Sequence, residues 1–164
     1  MRLFAFTAIF FKDILKTEEE VKVMLEKAIL LAETAHRGQV DKGGEPYILH
    51  PKRVMEHCEA TEEKIVAILH DVIEDTEITA EDLKNEGFSA EVIEAVVCLT
   101  KKDGEDYMDY VDRVCKNRLA ARVKLADLND NMNLSRILHP TEKDFARVEK
   151  YKKAKARIEQ ALRG

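Results

Sequence analysis

The segment LHDVIEDT at residues 69–76 concentrates side chains that can bind a metal ion or transfer a proton. His70, Asp71, Glu74 and Asp75 occupy relative positions 0, 1, 4 and 5. At about 100° per residue, a helix would place them within roughly 140° of one another, on one polar face of an otherwise apolar segment. A neutral imidazole and an adjacent carboxylate are suitable ligands for a divalent ion. The segment therefore predicts part of a metal centre.

Two ligands are too few for a stable catalytic metal centre, so others must come from elsewhere in the chain. His50 follows a loop rich in glycine and stands immediately before Pro51. Asp127 ends the sequence KLAD, where a helical pattern changes from apolar to polar residues. Both are candidate ligands that the fold could bring to His70 and Asp71.

Each of these residues also has an ordinary structural explanation. His50 could begin a helix, His70 could be a hydrogen-bonded core histidine, and Asp127 could cap or solvate a helix. Glu74 and Asp75 could form an acidic helix end, although negative charge at a carboxyl end opposes the helix dipole. These alternatives remain open for each residue taken singly, and only the combination favours a metal site.

The elements that must position these residues are predicted to be helices, because apolar residues recur three and four positions apart. Thr17 and Glu20 have the spacing of a capping box at the first helix. The predicted helices cover residues 17–36, 51–60, 62–73, 79–85, 89–99, 105–116, 118–138 and 142–162. Gly43, Gly44 and Pro46 predict an exposed loop over residues 38–46. We therefore expect a compact all-α bundle without internal repeats.

Length and composition favour a single globular domain, which we place at residues 17–164. The net charge of −5 argues against a nucleic-acid polymer as partner but leaves small anionic ligands open. The three cysteines, Cys58, Cys98 and Cys115, form no CxxC pair and are odd in number. They support neither a disulfide framework nor a cysteine zinc site, and they indicate a cytoplasmic protein.

Residues 1–16 begin with the apolar run MRLFAFTAIFF. A run of about ten apolar residues is too short to span a membrane. It is followed by Lys12 and Asp13 without the small-residue cleavage site of a signal peptide. We expect residues 1–16 to form an extension that packs on the domain or on a partner, and a homo-oligomer is one arrangement that would bury it.

Five segments occur together in a familiar order and spacing, over roughly residues 21–138. They are AHRGQ at 35–39, GEPYILHP at 44–51, ILHDVIEDT at 68–76, LTK at 99–101 and VKLAD at 123–127. Each segment is short, but the series resembles the hydrolase domain of RelA/SpoT-type alarmone enzymes. The resemblance implies an HD-domain helical bundle that holds one divalent ion, usually Mn²⁺, and removes pyrophosphate from the ribose 3′ position of (p)ppGpp.

The same resemblance assigns roles to individual residues. His50, His70, Asp71 and Asp127 match the metal ligands of the family. Glu74 and Asp75 match its acidic pair, which positions and activates the attacking water, and we take Glu74 as the first choice for general base. Two further positions match substrate-binding residues of the family, namely Lys42 in the loop and Asn131 one helical turn after Asp127.

The chain departs from the family pattern beside the substrate. The loop position held by Asp41 is often arginine, and the family sequence ADRLHNMRTL is replaced by ADLNDNMNLS. Leu128, Asp130 and Asn133 thus stand where basic or aromatic residues are common, and we expect these to be substrate-side changes. Family synthetases carry a second, nucleotide-transfer domain after the hydrolase domain, whereas this sequence ends at Gly164. We therefore expect the chain to resemble the stand-alone alarmone hydrolases.

Three functions follow, and they belong to different classes. The first is hydrolysis of the 3′-pyrophosphate of (p)ppGpp. The second keeps the metal chemistry but acts on another phosphorylated nucleotide, as Asp41 and Leu128 would suggest. The third is a non-catalytic module that senses a nucleotide or binds a partner.

Overall fold

The computed structural model describes residues 17–164, so the predicted N-terminal extension at residues 1–16 lies outside the described residues. The described part of the chain is a bundle of helices, and within it the β-structure is limited to one isolated bridge. The helices are α1 (Glu18–Ala35), α2 (Leu49–Glu56), α3 (Thr61–Leu69), α4 (Val72–Asp75), α5 (Ala80–Asn85), α6 (Ala90–Leu99), α7 (Tyr107–Val114), α8 (Arg118–Asn131) and α9 (Glu142–Arg163), with a short 3-10 helix at Leu134–Arg136. The prediction of an all-α fold is confirmed.

Side-chain caps fix where most helices begin. Thr17 accepts a hydrogen bond from the backbone of Glu20, whose carboxylate bonds back to the Thr17 amide, so the predicted capping box is present. Thr79 and Thr141 form similar boxes at α5 and α9. Single N-cap side chains serve three other helices, namely Ser89 at α6, Asp106 at α7 and Asn117 at α8.

The helix α3 lies at the centre of the bundle and packs against α1, α2, α6 and α8. Its residues 65–69 are all buried, which explains why this segment is apolar around its whole circumference. The long α9 covers α7 and α8 from outside, and Ala154 and Ile158 are its buried contacts. Along the described residues no helix combines the length and the apolar composition needed to cross a membrane.

The predicted loop at residues 38–46 is present and is tied together by its own hydrogen bonds. Val40 and Pro46 form the isolated antiparallel bridge, and the Asp41 amide donates to the Glu45 carbonyl at 2.8 Å. The Asp41 carboxylate accepts from the amides of Gly43 and Glu45, at 2.8 and 3.0 Å. Gly44 has φ +84°, a left-handed conformation that favours glycine. The loop is therefore closed upon itself.

Three predicted helices have different limits in the structure. The helix expected over 62–73 is interrupted at residues 70–71, because the His70 ring bonds the Ala67 carbonyl that would otherwise accept from the Asp71 amide. The helix expected over 51–60 ends at Glu56, where the His57 ring bonds the Arg53 carbonyl.

The third correction concerns the helix expected over 118–138. It ends at Asn131, because the Asn133 side chain accepts from the Ser135 amide and begins the separate 3-10 turn. The end of α8 at Asn131 turns residues 134–137 away from the helix axis and toward the loop at 38–46. The carbonyl of Arg136 lies 3.6 Å from the position that a Cβ atom of Gly43 would take.

Candidate metal centre

Two imidazole nitrogens and one carboxylate converge inside the bundle, although their residues lie on three different elements. The Asp127 Oδ1 atom lies 3.0 Å from His50 Nε2 and 3.5 Å from His70 Nε2. One ligand atom from each residue lies within 4.8 Å of the other two, and all three residues are buried. The structure thus brings together residues from α2, from the break after α3 and from α8.

Asp71, the fourth predicted ligand, lies beside this group. Its Oδ2 atom is 3.0 Å from His70 Nε2 and 3.8 Å from His50 Nε2. The same oxygen accepts a hydrogen bond from the Tyr47 hydroxyl group. Burial raises the pKa of the Tyr47 phenol, and the negative charge of Asp71 adds to this shift, so the hydroxyl group stays a neutral donor.

Hydrogen bonds on the far side of each ring point the Nε2 atoms at the centre. His50 Nδ1 lies 2.7 Å from Asp130 Oδ2, and His70 Nδ1 lies 2.6 Å from the Ala67 carbonyl oxygen. When Nδ1 carries the proton in both rings, the lone pair of each Nε2 is directed at Asp127. The His70 Nε2 atom is buried and makes no hydrogen bond.

The His70 Nε2 atom, which lacks a hydrogen-bond partner, indicates whether a metal ion fits this site. A buried polar atom without a partner carries a free-energy cost, which a metal–ligand bond at the same atom would remove. Two imidazole nitrogens with adjacent carboxylates form a donor set that suits Mn²⁺, Fe²⁺, Co²⁺ or Zn²⁺. The residues present therefore fit a divalent ion.

A buried lysine compensates the charge of Asp127. Lys124 Nζ donates to Asp127 Oδ2 at 2.8 Å, and its ammonium group lies 5.2 Å from the centre of the Tyr110 ring. Asn131 Nδ2 donates to the other oxygen at 2.6 Å. Burial alone would raise the pKa of Asp127, but the charge of Lys124, with the two histidines beside it, holds it well below its usual range. The carboxylate is thus kept ionised.

The same carboxylates favour protonated histidines when no metal is bound. Burial would lower the pKa of His70, but the negative charges of Asp71 and Asp127 outweigh it, so the pKa is raised well above 6.5. For His50, the hydrogen bonds to Asp127 and Asp130 likewise overcome burial and raise the pKa. A metal ion must therefore displace protons to bind here.

The two acidic residues of the short helix α4 line the same cavity. Burial raises the pKa of Glu74 and of Asp75, and the charge of Asp71 raises both further. Glu74 Oε2 accepts from the Lys101 amide at 2.8 Å, and the Asp75 carbonyl accepts from the Gln39 side chain at 2.8 Å. Two carboxyl groups with raised pKa values beside a metal set are suited to accept a proton.

These groups open into a cavity of about 740 Å³, large enough for a nucleotide. Lys42 and Asn131, the predicted substrate-binding residues, both line it. Two further basic side chains on its wall are Lys101 and Arg147. Three others, Arg53, Lys124 and Arg136, are paired with Asp127 or Asp130.

Sequence reasoning missed the residues that hold the ligands. Asp130 and Lys124 each lie three residues from Asp127 on α8, so their helical spacing could have placed them beside it. Tyr47 also contacts the candidate ligand Asp71 directly. Its spacing in sequence gave no signal, because the loop brings it to Asp71 from 24 residues away.

One expectation about substrate-side changes was wrong. Leu128 is fully buried in the core and does not line the cavity, so its side chain is not available to contact a substrate. Asp130 reaches the cavity, but its carboxylate faces His50 and two arginines. Asp41 and Asn133 line the cavity as expected.

No family model matches the chain. The chain is 32% identical over 142 residues to guanosine-3′,5′-bis(diphosphate) 3′-pyrophosphohydrolase of Vibrio cholerae, and 33% identical over 143 residues to the bifunctional (p)ppGpp synthase/hydrolase SpoT of Escherichia coli. Each alignment covers 77% of this chain and 20% of the relative. The chain thus spans about a fifth of the length of these relatives.

A solved structure supports the same relationship. It is described as a metazoan ortholog of SpoT that hydrolyzes ppGpp and plays a role in starvation responses. It matches with a TM-score of 0.68 and 25% identity, over 86% of both chains. The five sequence segments, the helical bundle and these relatives agree, and the chain belongs to the HD-domain family of RelA/SpoT-type proteins.

Proposed function

We propose that this protein hydrolyses the 3′-pyrophosphate of (p)ppGpp and releases pyrophosphate. The observation that carries the proposal is the convergence of His50, His70 and Asp127, with Asp71 beside them, in a cavity of about 740 Å³. The named activities of the relatives from Vibrio cholerae and Escherichia coli supply the substrate. A free nucleotide in the cytoplasm, rather than a nucleic-acid polymer, is the proposed partner.

The divalent ion would be held by His50, His70, Asp71 and Asp127, and we propose Mn²⁺ from the resemblance to the family. Such an ion lowers the pKa of a neighbouring water and offsets charge on phosphoryl oxygens. The chain prepares for this role, because hydrogen bonds fix both imidazoles and Lys124 keeps Asp127 ionised.

Glu74 is proposed as the general base, with Asp75 orienting the water or sharing its proton. The water oxygen forms a bond to the phosphorus attached to ribose O3′, and the bond from that phosphorus to O3′ breaks. One water proton passes to Glu74 and a proton returns to O3′, so pyrophosphate leaves with the water oxygen. The raised pKa of Glu74 suits it to both proton transfers.

Lys42 and Asn131 are proposed substrate contacts. Lys42 lies on the closed loop at the cavity wall, and Lys101 adds a second ammonium group. Asn131 uses one amide hydrogen bond on Asp127, so it would join the ligand carboxylate to the substrate. The ammonium groups of Lys42 and Lys101 are needed because the leaving pyrophosphate carries several negative charges.

The deciding experiment incubates the purified protein with ppGpp and Mn²⁺ and measures pyrophosphate release. We expect turnover that a chelator abolishes and that Asp71→Ala lowers to background. Asp112→Ala is the matched control, because Asp112 is an exposed aspartate paired with Arg157, outside the lining of the cavity. Turnover that survives both the chelator and Asp71→Ala would reject the proposed centre.

A second candidate keeps the chemistry and changes the nucleotide. Asp41 favours it, because an acidic residue that is bonded to its own loop stands where the family often has arginine. A panel of phosphorylated nucleotides compared by kcat/KM decides between the two. A clear preference for ppGpp would exclude this candidate, and tight binding without turnover under any divalent ion would instead indicate a sensor.

A further inference from the structure

Asp130 is a buried carboxylate of the site that contacts three charged or titratable side chains, although it belongs to neither the predicted ligands nor the acidic pair. It is 6% exposed. His50 Nδ1 lies 2.7 Å from Oδ2, while Arg53 donates to both oxygens at 2.8 and 3.2 Å. Arg136 donates to Oδ2 at 3.2 Å and to the Asp130 carbonyl at 2.8 Å. One carboxylate thus joins an imidazole to two guanidinium groups.

The two arginines explain how a buried charge is retained at this position. An unpaired buried carboxylate would be strongly destabilising, whereas a bidentate arginine satisfies both of its oxygens. Burial alone would raise the pKa of Asp130, but the hydrogen bonds from His50 and Arg53 hold it far below its usual range. The carboxylate is therefore a fixed acceptor for the His50 ring.

We propose that Asp130 is a positioning residue for the metal centre. It fixes the His50 ring with Nε2 facing Asp127, and Arg53 and Arg136 hold Asp130 in place. This inference rests on the proposed function, since it assigns a supporting carboxylate to one of the four proposed ligands. A carboxylate behind a ligating histidine sets the orientation and basicity of the ring.

The proposal also assigns Arg53 and Arg136 a role other than phosphate binding. Arg53 donates from two nitrogens to the Asp130 carboxylate. One nitrogen of Arg136 donates to both the carboxylate and the backbone carbonyl of Asp130. Arg136 belongs to the 3-10 turn beside the loop at 38–46. Asp130 therefore connects His50 to the wall of the cavity, and substrate charge falls to Lys42 and Lys101.

Metal affinity measured on the whole chain tests the proposal. Mn²⁺ binding is followed by calorimetry and Co²⁺ binding by its visible absorption, for the wild type, Asp130→Asn and Asp130→Ala. We expect Asp130→Ala to bind about 10–100-fold more weakly. Asp130→Asn should lie between the two, because its amide oxygen can still accept from His50. Leu83→Ala is the control, since it removes a buried side chain of α5 outside the cavity lining.

Kinetics separate positioning from substrate binding. If Asp130 positions His50, excess Mn²⁺ restores part of the kcat of Asp130→Asn and leaves the KM for ppGpp near the wild-type value. A raised KM with unchanged metal affinity would overturn the proposal and place this cluster on the substrate. Where Asp130→Ala fails to fold, Asp130→Asn decides alone, and wild-type metal affinity in that variant overturns the proposal.

Failure of the wider function gives a different result. A wild-type protein that binds neither Mn²⁺ nor Co²⁺ would overturn the metal centre and this inference with it. A wild-type protein that binds metal, together with Asp130 variants of equal affinity, overturns the inference alone. Equal losses in Leu83→Ala and Asp130→Ala would attribute the effect to stability and also overturn it.

Discussion

Lys124 carries a largely buried ammonium group whose partner, Asp127, is a proposed metal ligand. Replacing it by methionine leaves the Asp127 charge buried without its cation. We expect Lys124→Met to lower the free energy of unfolding of the metal-free protein by about 3–5 kcal/mol. Saturating Mn²⁺ should recover part of that loss, because a cation would again face the carboxylate. Urea unfolding with and without Mn²⁺ measures both effects.

Lys152→Met is the matched control for this prediction. Lys152 pairs with Glu149 on the solvent side of α9, and both side chains are largely exposed. Exposed pairs of this kind contribute little to stability, so the control should change it by less than about 1 kcal/mol. Equal losses in the two variants would contradict the assigned role of Lys124.

The proposed base makes a prediction about pH. Glu74→Gln should lower kcat by about 10²–10⁴-fold, the usual effect of losing a general base. The base acts when ionised, so wild-type kcat should fall as the pH drops through a pKa that lies above 4.5. A pH profile of kcat at saturating Mn²⁺ measures this. Glu77→Gln, which changes an exposed carboxylate nearby, should keep wild-type activity.

At the residue scale the sequence predicts the metal ligands better than it predicts the residues that hold those ligands in place. Local spacing selects His70 and Asp71, and the family resemblance adds His50 and Asp127. Asp130 was assigned to the substrate side because its position was compared with the family pattern. What holds it to His50 is a contact across 80 residues of sequence, which no local pattern contains.

At the scale of elements, the loop at 38–46 carries Lys42 and depends on one left-handed glycine. Gly44→Ala introduces a Cβ atom at φ +84°, which costs roughly 1–2 kcal/mol. If Lys42 contacts the substrate, we expect a raised KM for ppGpp with unchanged Mn²⁺ affinity. Gly87→Ala is the control, because Gly87 has φ +87° just beyond α5, outside the cavity lining. Both variants should lose stability, and a raised KM in both would contradict the prediction.

Helices were predicted from apolar periodicity and caps, and both signals survive in the structure. Thr17, Thr79 and Ser89 begin helices where expected. The limits were wrong near residues 57 and 70, where histidine rings hydrogen-bond backbone carbonyls of the preceding turn. Periodicity reports which face is buried, and it carries no information on hydrogen bonds from side chains to the backbone.

For the whole molecule, stability and metal binding should be linked through protons. Because folding raises the pKa values of His50 and His70, protonation of these rings stabilises the metal-free folded protein, and this stabilisation is complete below pH 6.5. This contribution is lost as the pH rises from 6.5 through the folded-state values. Mn²⁺ competes with those protons, so the rise in melting temperature on adding Mn²⁺ should grow with pH over the same window. Thermal unfolding in chelator and in Mn²⁺ measures it, and a pH-independent rise would contradict the linkage.

The hydrogen bonds of the loop at 38–46 bear on whether this loop must move when a ligand enters or leaves the cavity. Backbone bonds close it at both ends, from the Tyr47 amide to Gln39 and from the Asp41 amide to Glu45. A segment already ordered in this way pays its conformational entropy during folding rather than at each encounter with a ligand. Lys42 therefore stands on a loop that is ordered before any ligand binds, and under the proposed function we expect pyrophosphate release to require no opening of this loop.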